Sequence, residues 1–221
     1  MIDFNTHTFL SNGSCSPGEL VRHAEENSYR VIGITDHVDA SNLELVLSAL
    51  IRFCRETQAF LKVRVIPGVE ITHVPPGQIP SLVSRARQLG ARIVVMHGET
   101  ISEEVAIGTN RAGIEAGVDI LAHPGLISKE DAALAAEKGV FLEISSHAEH
   151  AFCNGRITAM ARETGAQLVL DSNAHSPSEL LTADKRERIA FGAGLSAEEL
   201  DRINSNMVSL YEKLVPASYF A

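Results

Sequence analysis

The side chains of this sequence best suited to chemistry stand at regular stations. His7 lies three residues beyond the apolar run Ile2–Phe4, and His37 follows the run Arg30–Ile34. Glu70 follows Val63–Ile66, His97 directly follows Ala91–Met96, and His123 follows Val118–Leu121. Glu143 sits at the end of Val140–Ile144, and His175 comes after Ala166–Leu170. Imidazoles and carboxylates together suit zinc, iron or manganese, and carry more nitrogen than magnesium favours. A single histidine after such a run is more often a hydrogen-bonded core or surface residue. Five histidines at five separate run ends are better explained by a shared cluster of divalent ions. His23, in a helical stretch, reads as a surface residue, and His73 as a loop residue beside Pro75-Pro76-Gly77.

The elements that must position these groups are legible as a pattern. The seven runs are short and rich in β-branched residues, as strands are. The third to fifth and the last are nearly continuous in apolar side chains, as parallel strands covered on both faces should be. Helical spacings fill the gaps. Ser16-Pro17-Gly18-Glu19 reads as a capping box with proline at the first helical position, and Ser176-Pro177-Ser178-Glu179 repeats it. Thr100 with Glu103, and Ser196 with Glu199, fit the same box. Ile203, Met207, Leu210 and Leu214 predict an amphipathic C-terminal helix packed on the domain. Alternating strands and helices predict a parallel α/β fold, either an open doubly wound sheet or a closed barrel. The barrel gains weight because its C-terminal rim gathers residues far apart in sequence into one site.

Composition narrows the function classes. The chain has 221 residues, 45% of them hydrophobic and 21% charged, which predicts one globular domain spanning 1–221. The net charge of −9 argues against a nucleic-acid partner bound through its phosphates. No apolar run approaches membrane-spanning length, and Met1–Leu10 is too polar for a signal peptide. Cys15, Cys54 and Cys153 are an odd count without CxxC spacing, read as buried small apolar groups in a cytoplasmic protein. Oligomeric state is not encoded legibly.

Taken in order, the stations resemble the motifs of the PHP (polymerase and histidinol phosphatase) domain family, most of all its stand-alone histidinol-phosphatase-like members. Asp3-Phe4-Asn5-Thr6-His7-Thr8 is similar to the family's first motif, Asp-Leu-His-x-His-Thr. Ile34-Thr35-Asp36-His37 resembles the second and Gly68-Val69-Glu70 the third. His97, Ala122-His123-Pro124 and Ser172-Asn173-Ala174-His175 resemble the rest, so the likeness runs from residue 3 to about residue 180. It implies a distorted (β/α)7 barrel, two to three divalent metal ions (Zn, Mn or Fe) and hydrolysis of a small phosphorylated substrate. By the family's pattern, His97 and His123 hold one ion with a bridging Glu70. His7 and Glu70 share a second with the positions occupied by Asn5 and Asn173, and His37 and His175 hold a third. Three departures stand out. Asn5 replaces the first motif's leading histidine, Asn173 replaces the last motif's usual aspartate, and Asn12-Gly13 stand where many members carry Asp or His. An amide oxygen brings no charge and is a poor zinc ligand. Asp171 shares a strand face with Asn173 and is the candidate to compensate, about 6–7 Å further down the barrel.

The expected chemistry is in-line attack on phosphorus by a metal-activated hydroxide, with Glu70 and His175 acting through the ions they hold. Asp36 and Glu143 are candidates to orient ligands, or simply to cap backbone groups. Arg111 and His150 are weak candidates for substrate binding; Arg156, His147 and His73 have similar standing, each with a solvated surface role as the plainer reading. Two other functions compete: a metal-poor, non-catalytic binding or regulatory protein, favoured by Asn5, Asn12 and Asn173, and a PHP-type nuclease or nucleotidase. An amidohydrolase-type barrel acting on C–N bonds usually needs a carboxylated lysine, and no lysine stands at any of the seven run ends.

Overall fold

The computed structural model describes residues 1–215. Among the described residues are eight strands: β1 (Ile2–Thr6), β2 (Val31–Ile34), β3 (His37–Val38), β4 (Arg64–Ile71), β5 (Ile93–His97), β6 (Ile120–Ala122), β7 (Phe141–Ser145) and β8 (Leu168–Asp171). Eight α-helices lie between and after them: α1 (Pro17–Glu26), α2 (Leu43–Thr57), α3 (Ile79–Gln88), α4 (Thr109–Ala116), α5 (Lys129–Lys138), α6 (Asn154–Thr164), α7 (Ala183–Gly192) and α8 (Ala197–Leu214). Seven strands form a parallel sheet in the order β1-β2-β4-β5-β6-β7-β8, and the two-residue β3 pairs with β4. The sheet curls until Thr6 meets Ala174, giving a nearly closed, distorted (β/α)7 barrel.

Local chemistry explains most of the elements. Ser16 accepts from the Glu19 amide at the start of α1, with Pro17 in its first turn, and Leu20, Val21 and Ala24 face inward. Ser196 and Glu199 make a reciprocal box at the head of α8, whose Leu200, Ile203, Met207, Leu210 and Leu214 are buried. The other two expected boxes differ. Ser176 and Glu179 do form one, but it heads a single 3-10 turn (Pro177–Glu179), and α7 starts later, behind Thr182. No helix starts at Thr100; Glu103 is turned to another use, described below.

β4 is longer than the apolar run suggested, because it changes partners midway. Its first half pairs with β2 as far as Pro67, and from Gly68 onward it pairs with β5. A Cβ at Gly68 would come within 2.3 Å of Ile93 Cγ2 and 2.5 Å of the Ile93 carbonyl oxygen, so glycine is what lets β5 approach there. Glu70 therefore lies inside the strand, not beyond it.

The seam between β8 and β1 is closed largely by side chains. His7 donates its amide to the Ala174 carbonyl at 2.8 Å. Deeper in, Asp171 Oδ1 accepts from the Phe4 amide (2.7 Å), and both Asp3 oxygens accept from the Ser172 amide (3.2 Å). Arg186 reaches in from α7 to donate to the Leu170 carbonyl at 2.7 Å. This corrects the reading of Asp171 as a stand-in metal ligand: it lies at the seam with β1, where its Oδ1 is held by the Phe4 amide, while its Oδ2 is buried without a hydrogen-bond partner. Burial first, and the Asp3 charge second, raise the Asp171 carboxyl well above the usual range.

Candidate metal centre

The C-terminal ends of the strands gather the sequence stations into one buried cluster. Glu70, fully buried on β4, sits at its middle. Its Oε2 lies 3.5 Å from His7 Nε2 and 3.8 Å from His37 Nε2, and its Oε1 lies 3.6 Å from His123 Nε2. On one side, donor atoms of His7, His37 and His175 lie within 4.8 Å of one another. On the other, those of His97, His123 and His150 do the same. The His7 ring is 4.3 Å from His175 and 4.5 Å from His37, and the His97 ring is 4.5 Å from His123.

The donors fit cations. His7 Nδ1, His37 Nε2, His97 Nε2, His123 Nε2 and both Glu70 oxygens are buried without a hydrogen-bond partner. An unpartnered buried polar atom costs about 1–3 kcal/mol, so six on one cluster of residues need a reason. Burial first, then neighbouring imidazoles, holds His7, His37 and His123 well below the usual range, in the neutral form that ligates metal. Burial pushes Glu70 up to about 7. For His97, burial acts downward, but Glu103 and the Glu70 charge outweigh it and raise the group.

The surrounding residues aim the rings. Glu143 Oε2 contacts His123 Nδ1 at 2.9 Å and accepts from the His123 amide at 3.1 Å, so it orients that ring. Asp36 touches none of these imidazoles; it accepts from the Thr8 amide and hydroxyl (2.8 and 2.7 Å) and the Ser11 hydroxyl (2.6 Å), and so shapes the loop after β1. Asn5 receives the Thr35 hydroxyl (2.7 Å) and donates to Glu143 Oε1 (3.1 Å). Asn173 Oδ1 meets His7 Nε2 at 2.8 Å, and its amide nitrogen is 3.2 Å from His123 Nδ1. His73, His123 and Asn173 have φ of 53°, 31° and 51°. Left-handed backbone is uncommon on non-glycine residues, and three of the four described instances lie here, the fourth being Ser28 after α1.

Gly125, two residues past His123, also has a left-handed φ of 61°. A Cβ there would lie 1.8 Å from the Glu99 carbonyl oxygen. Gly125→Ala is expected to push the β5 and β6 loops apart, lowering the melting temperature and disordering the His97–His123 pair. Thermal melting and NMR of the histidine ring protons check this.

Two residues named as substrate contacts fall elsewhere. Arg111 is on the outer face of α4, paired with Asp131 at 2.7 Å and Glu115 at 3.7 Å. Arg156 donates to the Ile127 carbonyl. His150, expected only as a substrate contact, is buried and stacks on His123 with ring centroids 4.0 Å apart. Sequence reasoning missed Glu103. It lies on the loop after β5, with Oε2 3.3 Å from His97 Nε2 and 3.4 Å from His73 Nε2, and Oε1 3.6 Å from His150 Nε2. These imidazoles, His97 foremost, hold its carboxyl down at about 2. A cleft of about 270 Å³ opens over the cluster, lined by His37, His73, Glu103, His147, His150 and His175.

A parallel β/α barrel with imidazoles and a buried carboxylate converging on its rim has the architecture of metal-dependent hydrolases. Residues 3–113 match the PHP domain family, and the chain belongs to it. It is 43% identical over 201 residues to the uncharacterized protein MJ1295 of Methanocaldococcus jannaschii, covering 90% of this chain and 92% of that one. Among solved structures, a chain of an archaeal ribonuclease P seen with mature tRNA superposes with a TM-score of 0.71 at 15% identity, covering 97% of this chain and 91% of that one. A Listeria monocytogenes protein described as a histidinol phosphatase superposes with a TM-score of 0.56 at 13% identity (81% and 97% covered). Aspergillus niger ochratoxinase gives 0.59 at 13% (94% and 70% covered). At these identities the likeness is one of fold. Among the described residues, no helix is long and apolar enough to cross a membrane.

Proposed function

We propose that the protein is a metal-dependent phosphoesterase that hydrolyses a small phosphorylated substrate using two to three divalent ions of zinc, manganese or iron. The carrying observation is the set of six buried atoms on the clustered residues His7, His37, Glu70, His97 and His123 that have no hydrogen-bond partner. His7, His37 and His175 would hold one ion and His97 and His123 another, with Glu70 between them. When bound, such ions polarise a phosphoryl oxygen and make a water nucleophilic near neutral pH.

The chain's own groups have distinct parts in this reading. Glu143 fixes the His123 ring, and Asn173 fixes that of His7. His147 lines the cleft, which makes its imidazole the candidate to protonate the leaving oxygen. The cleft volume of about 270 Å³ favours a small ester over a polymer, and the net charge of −9 points the same way. The odd cysteine count supports a cytoplasmic setting.

The test is turnover of an aryl phosphate, then of a panel of small phosphomonoesters, by chelator-stripped protein with and without added Mn²⁺ or Zn²⁺. Metal-dependent release of phosphate is expected. A second reading, a binding protein descended from a hydrolase, is favoured by the full hydrogen bonding of Asn5 and Asn173. Metal uptake without any turnover would establish it instead.

A further inference from the structure

We propose that His150 and Glu103, neither of which belongs to the motif set, complete with His97 and His123 the ligand set of the divalent transition-metal ion on the rim side of the cluster. The inference rests on the metal dependence proposed above and concerns where an ion sits and what holds it. It starts from the two departures in the motifs. Asn5 and Asn173 spend their amides inside the barrel, on Thr35 and Glu143 and on His7 and His123. They bring no charge to a cation, so the deep end of the cluster has lost ligand capacity.

The rim has gained it. His97 Nδ1 faces the Gly98 carbonyl at 3.1 Å and can only donate there, which leaves a lone pair on Nε2. That Nε2 is buried and unpartnered. His150 Nδ1 lies 3.1 Å from the Thr100 hydroxyl, which can accept its proton and leave the lone pair on Nε2. Both Nε2 atoms face the Glu103 carboxylate, at 3.3 and 3.6 Å. Two imidazoles pinned through Nδ1, with Nε2 turned toward one carboxylate, are the usual arrangement of a zinc-type site and its supporting shell. His73 Nε2 lies 3.4 Å from the same carboxylate on the solvent side. Ion pairing alone is a poorer account, since one carboxylate faces three rings and a single proton would satisfy it.

The position has a functional meaning. Glu103 rides on the loop between β5 and α4, while Glu70 is fixed inside a strand. A carboxylate on a loop, in the wall of the cleft, can yield its place to an anionic substrate. The rim ion is therefore the one exposed to exchange and to the phosphoryl group.

The experiment counts ions. Chelator-stripped protein is titrated with Zn²⁺ against a chromogenic competitor, counted by mass spectrometry, and titrated with Co²⁺ while its visible bands are recorded. Wild type, Glu103→Gln, His150→Gln and His175→Gln are compared. Glu103→Gln is nearly isosteric and sits on an exposed loop, so it reports even if His150→Gln folds poorly. Both rim variants are expected to bind one ion at least about tenfold more weakly and to lose part of the cobalt absorption, which His175→Gln keeps. If Glu103→Gln matches wild type in count, affinity and cobalt spectrum, the rim site is wrong while the metal reading stands. If wild type itself takes up no ion, both fall together.

Discussion

Glu70→Gln is expected to reduce phosphoester turnover by about three orders of magnitude or more, or about 4 kcal/mol of transition-state stabilisation, with the fold intact. The reason is geometric. Glu70 lies between the two imidazole groups, within 3.5–3.8 Å of His7, His37 and His123. A glutamine preserves shape and removes the charge that would bridge two cations. Circular dichroism and melting should stay close to wild type, while bound metal falls along with turnover. Normal turnover in this variant would remove Glu70 from the chemistry.

Arg186→Met is expected to act on stability instead. Arg186 is buried, donates to the Leu170 carbonyl, Asn204 and Met207, and faces the carboxyls of Asp3 and Asp171. Removing it leaves a buried strand carbonyl without its donor and takes a positive charge away from two buried acids. The cost of orphaning such a buried acceptor is about 2 kcal/mol, which for a chain of this size lowers the melting temperature by about 4–8 °C. Differential scanning calorimetry measures it. A shift below about 2 °C would show that Asp3 and Asp171 are neutral enough to need no partner.

What the sequence made legible follows from which signals are periodic. All seven apolar runs are strands, and the C-terminal stripe Ile203–Met207–Leu210–Leu214 is the buried face of α8. The imidazoles at strand ends were readable because the barrel turns sequence stations into neighbours. β3 was not, being two residues long with no run to announce it. Glu103 and His150 sit on loops, where neither period nor cap marks a contact made across the rim. Thr100 and Glu103 matched a helix-start signal, but the chain runs on as a loop to Gly108, whose left-handed φ of 94° precedes α4. Asp171 matched a strand-face argument and was claimed instead by the Phe4 amide, a competition only tertiary structure shows.

Joining the barrel through acidic side chains near residues 3 and 171 also bears on the order of assembly. The Phe4 amide and the Asp171 carboxyl stand 167 residues apart along the chain, so closing this ring carries the largest entropic penalty and comes late. Consecutive βα units can accumulate earlier as an open, curved sheet, whose two free margins must avoid pairing with other molecules. Carboxyls turned into those margins give a half-finished chain poor edges for adhesion, and become useful to it only when its own opposite end arrives.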